Sequence, residues 1–143
     1  MEQIKKDAQI KIKGIQKIDN DSDQTDLYTQ GKFYKKNDKF YIVYNETPTT
    51  GSTDGKTIIK VTPNERVLIT RTGMLASELL IQTGKRNVGY YGTEFGDLAI
   101  GISQAKIDCN LDEKGGKLTV EYDIDVNSSF LSKNRLEIQV DSL

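Results

Sequence analysis

Leu118-Thr119-Val120-Glu121-Tyr122-Asp123-Ile124-Asp125-Val126 places an apolar side chain at every even position and a polar one at every odd position. A period of two marks a β-strand with one face against a core and the other in water. Just beyond it, Asn127-Ser128-Ser129 reads as a turn, and Leu136, Ile138 and Val140 repeat the even parity. Folded about that turn, Val120 meets Leu136 and Leu118 meets Ile138, while Glu121 meets Arg135 and Asp123 meets Lys133. Apolar pairs on one face and opposite charges on the other support the same register.

The pattern extends upstream through Leu98, Ile100 and Ile102. A turn at Phe95-Gly96 sets Tyr90 opposite Ile100 and Val88 opposite Ile102, which points Tyr90 inward and Tyr91 outward. A turn near residue 112 sets Ile102 opposite Tyr122 and Ile100 opposite Ile124. Short runs rich in Ile, Val, Thr, Tyr and Phe predict strands near 8–18, 26–36, 39–46, 56–62, 66–72, 77–83, 86–93, 97–108, 117–126 and 130–141. Asn37-Asp38, Thr49 to Gly55, Pro63-Asn64, Gly73, Gly84-Lys85 and Lys114-Gly115-Gly116 supply the joints. At Gly14 the apolar phase of Ile10 and Ile12 passes to Ile15, which predicts a bulge.

Short links make antiparallel neighbours the expected pairing. A long meander left open has two unpaired rims, whereas a barrel has none. Residues 1–143 are therefore expected to form a single all-β domain, an antiparallel meander closed into a barrel of about 8 to 10 strands. A two-sheet sandwich is the alternative, because period alone does not separate the two. Phe40 to Tyr44, Val67-Leu68-Ile69 and Leu79-Leu80-Ile81 are apolar on both faces, so one face needs shelter from the amino-terminal segment or a second copy. Gly89, Ala99, Gly101, Ser103 and Ala105 read as a small-residue stripe on the outer face, and a homodimer is a candidate assembly.

Composition narrows the chemistry. The chain has 20 Lys+Arg against 21 Asp+Glu, no His and one Cys. A net charge of −1 gives no general drive toward nucleic acid or acidic lipid. Without histidine a Ser-His-Asp or Cys-His group cannot be built, and zinc loses its commonest nitrogen ligand. The lone Cys109 allows no internal bridge, and Met1 to Lys6 lacks the apolar core of a leader, so a reducing cytoplasm is the expected location. No apolar run approaches ~18 residues, which argues against a spanning helix. Asn45-Glu46-Thr47 and Asn127-Ser128-Ser129 match the glycosylation pattern but carry no meaning without secretion.

Four polar patterns in the sequence carry candidate chemistry. Asp19 to Gln24 begins like a calcium loop, but Gln24 takes the glycine's place and Gln30 that of the closing glutamate, so no metal is expected. Glu121, Asp123 and Asp125 share a face, as an acid–base pair would, yet Arg135 and Lys133 lie across from two of them. A solvated face is the simpler reading. Cys109 sits beside Asp108 and Asp112, which favours an unreactive thiol. Tyr28, Lys32, Phe33, Tyr34, Lys35 and Lys36 mix aromatics with cations, as stacking surfaces for single-stranded nucleic acid do, but no basic balance supports them. No catalytic residues are expected.

The candidates for ligand binding are cationic and phenolic. Arg71 shares the parity of Val67 and Ile69, and Arg86 that of Val88 and Tyr90. Pointing inward, either guanidinium would grip a carboxylate or phosphate at the barrel mouth, with Tyr90 and Tyr122 adding hydroxyls. The plainer alternative is strand-end arginines reaching solvent and tyrosines filling core.

Tyr41-Ile42-Val43-Tyr44-Asn45-Glu46-Thr47, Ile59-Lys60-Val61-Thr62-Pro63, Gly84 to Tyr91 and Tyr122-Asp123-Ile124-Asp125-Val126-Asn127 resemble the YwiB-like β-barrel family, a bacterial group of unknown function. The resemblance implies a calycin-like barrel, akin in shape to lipocalins and fatty-acid-binding proteins, in small cytoplasmic proteins without assigned activity. It lends no catalytic residues and no cofactor. The chain departs from the family in having Glu94 and Phe95 before Gly96, where a tyrosine and a proline are common. Together these readings lead to a barrel holding a small apolar or amphipathic ligand. The alternative is a fully packed interaction or homodimerisation module, and an enzyme ranks third.

Overall fold

Two-residue links give a strand no partner nearer than its sequence neighbour, and the backbone shows why these links are tight. Asn37 and Asp38 lie at φ 51° and 64°, and Asn127 and Ser128 at 52° and 66°. Left-handed pairs of this kind match the right-handed twist of the strands they join. The computed structural model describes residues 6–45, 55–73 and 76–143. The predicted loop at 49–55 lies outside them except for Gly55, as do residues 46 and 47 of the first glycosylation triplet and residues 1–5 of the leader reading.

The strands are β1 (Lys6–Ile18), β2 (Asp21–Lys36), β3 (Lys39–Asn45), β4 (Lys56–Thr62), β5 (Arg66–Arg71), β6 (Ser77–Gln82), β7 (Asn87–Thr93), β8 (Gly96–Asp112), β9 (Gly115–Val126) and β10 (Ser129–Ser142). Each pairs antiparallel with the next, and β1 pairs with both β2 and β10, so the sheet closes. The fold is a closed ten-strand antiparallel barrel rather than a sandwich.

Three registers test the alternation. The β9–β10 hairpin places Val120 opposite Leu136, Leu118 opposite Ile138, Glu121 opposite Arg135 and Asp123 opposite Lys133, as expected. The β7–β8 hairpin does not follow its expected register. Thr93 pairs with Gly96 across Glu94-Phe95, which sets Tyr91 opposite Leu98 and Gly89 opposite Ile100. That register is displaced by one residue, so every β7 side chain changes face. Tyr91 points inward and Tyr90 outward, and Val88 is two-thirds exposed. In the β8–β9 hairpin Asp112 pairs with Gly115, and Ile102 meets Ile124 rather than Tyr122. A bulge between Ser103 and Lys106 then switches the inward set of β8 to Ala105, Ile107, Cys109 and Leu111.

Gly14 is no bulge. Ile12, Gly14 and Ile15 pair without interruption with Ile138, Leu136 and Arg135, which leaves Ile15 outside. The glycine instead keeps the inner wall bare, since a Cβ there would lie 3.6 Å from a Leu136 methyl. Gly31 is different, because a Cβ would fall 2.1 Å from the Val43 carbonyl oxygen. Backbone contact at that point is what lets β3 lie against β2.

The core fills one end of the barrel. Phe40, Val61, Val67 and Ile81 form a cross-strand row that is almost wholly buried, joined by Phe33, Ala8, Ile10, Leu118 and Val140. Phe33 stacks on Phe40 at 5.9 Å between ring centres. With Phe33 inside and Tyr28 exposed outside, the aromatic–lysine segment of β2 presents no continuous stacking surface. The segment Lys6–Ile18 is a wall strand and does not cover the outer apolar face. That face shelters itself in part, with Tyr34 stacked on Tyr41 at 4.8 Å and the Lys60 ammonium 5.9 Å from the Tyr41 ring.

The two wall glycines therefore predict opposite responses to alanine. Gly31→Ala should destabilise by about 1–3 kcal/mol through overpacking, and Gly14→Ala should stabilise by about 0.5–1 kcal/mol by removing a strand glycine. Urea denaturation midpoints of the two variants check both signs.

Candidate functional site

Above the packed end the strands carry a second row and then a third. Ile42, Ile59, Ile69 and Leu79 lie opposite one another in the middle row. In the row beyond, Tyr44 opposes Thr57, Thr57 opposes Arg71, Arg71 opposes Ser77, and Ser77 opposes Tyr91. Four consecutive strands, β3 to β6, thus change from aliphatic to hydrogen-bonding side chains at one level, and β7 adds Tyr91 to the polar row. Thr57 and Ser77 are 2% and 5% exposed, so these hydroxyls belong to the interior.

All five line a cavity of about 310 Å3 that also touches Tyr122, Leu136 and the bare wall at Gly14. Its floor is Ile59, Ile69 and Leu79 of the middle row together with Ile12 and Ile138. Small-molecule sites occupy roughly 300–1,000 Å3 and combine apolar walls with a few convergent polar groups. A groove of about 640 Å3 lies on the outer surface, but most of its walls are charged side chains. The interior cavity has the composition of a ligand site, although it is the smaller of the two.

The electrostatics agree with this placement. Burial pushes the Tyr122 phenol well above the ordinary tyrosine range, and neighbouring Tyr91 adds to the shift. Burial also raises Tyr91, against which the Arg71 charge acts. Arg71 is half-buried at the end of β5.

The four sequence candidates divide evenly. Arg71 and Tyr122 line the cavity. Arg86 and Tyr90 lie outside, because the one-residue displacement of β7 reverses the whole strand. Arg86 instead grips Asp125, Nε donating to Oδ2 at 3.1 Å and Nη2 to Oδ1 at 2.7 Å. The Ser128 amide donates to the same carboxylate at 3.2 Å. The arginine hydrogen bonds hold the Asp125 carboxyl below the usual carboxylate range. This pair lies over Gly101, where a Cβ would meet Nη2 at 2.3 Å. The small-residue stripe is thus covered at Gly101, while Gly89 and Ala105 face inward.

Tyr44, Thr57, Ser77 and Tyr91 were not singled out by the sequence. The first three were nonetheless detectable. Each holds the inward parity of its strand, beside Ile42, Ile59 and Leu79, at the end remote from the packed core. Tyr91 takes the position expected for Tyr90. Among the carboxylates, Glu121 accepts from Arg135 at 2.9 Å on the outer face, in keeping with a solvated surface. Among the described residues no group of three His, Cys, Asp or Glu is placed to hold a metal. Burial raises the Cys109 thiol above its ordinary value, and Asp108 adds to this.

The family model described as "Domain of unknown function (DUF1934)" matches residues 10–138. The "Uncharacterized beta-barrel protein YwiB" of Bacillus subtilis (strain 168) is 31% identical over 115 residues, which are 80% of this chain and 79% of that protein. The structure titled "Crystal structure of ywiB protein from Bacillus subtilis" superposes with a TM-score of 0.83 at 26% identity, covering 97% of this chain and 93% of that one.

Two titrations follow from the shifts. Tyr122 and Tyr91 are raised in the folded state, so their stabilising contribution is present below the ordinary tyrosine pKa of ~10 and lost as pH rises through the folded values. Phenolate absorbance should show late-ionising tyrosines that disappear in a Tyr91→Phe/Tyr122→Phe variant. Asp125 is lowered, so its contribution is present above ~3.9 and lost as pH falls through its folded value. Thermal melts between neutral and acidic pH should flatten in Arg86→Met, which removes the charge that lowers it.

Proposed function

The chain belongs to the DUF1934 family of YwiB-like β-barrel proteins, and we propose that it binds a small amphipathic molecule whose anionic end sits among the polar side chains of the barrel mouth. The single observation that supports this is the row Tyr44, Thr57, Arg71, Ser77 and Tyr91, one level above an aliphatic floor. An apolar tail gains from leaving water for that floor, at about 25 cal/mol per Å2 buried. A carboxylate or phosphate gains two parallel hydrogen bonds from a guanidinium fork. Thr57 and Ser77 flank Arg71 in the register on both sides, which keeps the row polar on either side of the guanidinium.

The homodimer reading rests on the outer face, where Val43 and Ile58 lie opposite one another, as do Leu68 and Leu80, beside the Tyr34–Tyr41 stack.

Native mass spectrometry of the purified protein reads retained ligand and subunit number together. Octanoate should raise the melting temperature more than octanol does. Arg71→Met should abolish that difference, and Gly14→Leu, which fills the cavity, should weaken both ligands. A bare monomer whose melting temperature neither compound changes would overturn the reading.

A further inference from the structure

The outer groove of about 640 Å3 crosses β1, β10, β9 and β8 and is made concave by irregular backbone. On β8, Gln104 and Ala105 together oppose the single residue Tyr122, with Gln104 at φ 54°. On β10 the register slips again between Phe130 and Ser132. Bulges sharpen local twist and bend the strand that carries them. These two flank β9 on either side, so the sheet turns its outer face into a trough.

The trough is lined by Lys17, Lys106, Lys133 and Arg135 against Glu121 and Asp123. Four cations to two carboxylates is a local excess of positive charge on a chain whose net charge is −1. Arg135 is neutralised by Glu121 at 2.9 Å and by Glu137 at 3.4 Å, and Lys106 stands opposite Glu121 in the ladder. Lys17, Lys106 and Lys133 form no ion pair among the described residues, although Asp123 lies opposite Lys133 in the ladder. Lys17 is also directly opposite Lys133. Like charges in direct cross-strand opposition destabilise a sheet, and an anion placed between them turns that repulsion into attraction.

We propose that this groove binds a small molecule carrying two or more anionic groups, phosphates or carboxylates, with Lys17 and Lys133 gripping one group and Lys106 another. Glu121 and Asp123 break the positive lining into separate spots. That pattern suits discrete anionic groups and opposes a continuous phosphate backbone, which needs an unbroken basic track.

Pyrophosphate and citrate, titrated calorimetrically into the full chain at low salt, distinguish the phosphate from the carboxylate source. Binding of at least one is expected, weakening as ionic strength rises from about 10 to 150 mM. Lys17→Gln/Lys133→Gln should weaken it tenfold or more while leaving the melting temperature equal or higher, because the opposed charges are gone. Lys32→Gln, outside the groove, should bind like the parent. The proposal is overturned if neither anion binds at millimolar concentration, if the double variant binds undiminished, or if it melts lower, which would make the lysines structural. A glutamate-rich peptide that binds where both small anions fail would equally overturn it and assign the groove to a protein partner.

Discussion

Everything in this molecule depends on β1 bonding to a strand on each side. Once Lys6–Ile18 joins β2 to β10, the ladder has no free edge, and no strand can slide without breaking the pairing of its neighbours. Closure therefore does more than remove sticky rims. It locks ten registers together, so side chains from different strands stand at common heights around the wall. The aromatic and valine row, the isoleucine row and the hydroxyl row are consequences of that locking. The two ends then separate physically, one nearly dry and the other polar and open.

How much of this was legible depended on whether a strand's alternation was carried by its own residues. β9 and β10 carried it fully, and their register followed from Val120, Leu136, Glu121 and Arg135 alone. β7 did not. Val88 and Tyr90 are more apolar as a set than Asn87 and Gly89, yet the second set faces the core. A side chain at Gly89 would strike the Glu78 carbonyl oxygen at 2.3 Å, a constraint set by a strand some ten residues away in the chain. The β8 bulge was equally hidden, because Gln104 has no residue signature for a left-handed backbone. Arg71 and Tyr122 were legible because parity within their own strands decides their face. Arg86 and Tyr90 were lost with the strand that carried them.

One wall serves two environments. Along β9, Val120 and Tyr122 face the interior, while Glu121 and Asp123 face the charged trough. The bulge at Gln104 affects both sides. Outside it bends the trough, and inside it moves Ala105 and Ile107 into the core position that even-numbered residues hold earlier in the strand. A single inserted residue thereby couples the shape of the outer surface to the packing behind it.

The junction of β6 with β7 has only two ladder pairs, Ser77 with Tyr91 and Glu78 with Tyr90, against six between β5 and β6. Beyond Glu78 no further ladder pair joins the two strands among the described residues; a lone bridge pairs Gln82 with Lys85 in the turn, and the Asn87 side-chain amide donates to Gln82 Oε1 at 3.5 Å. A cylinder held unevenly yields first along its thinnest join, since fewest backbone bonds must break there. The polar row also ends at that join, in Ser77 and Tyr91, so breathing of the cylinder and access to its mouth share one fault line.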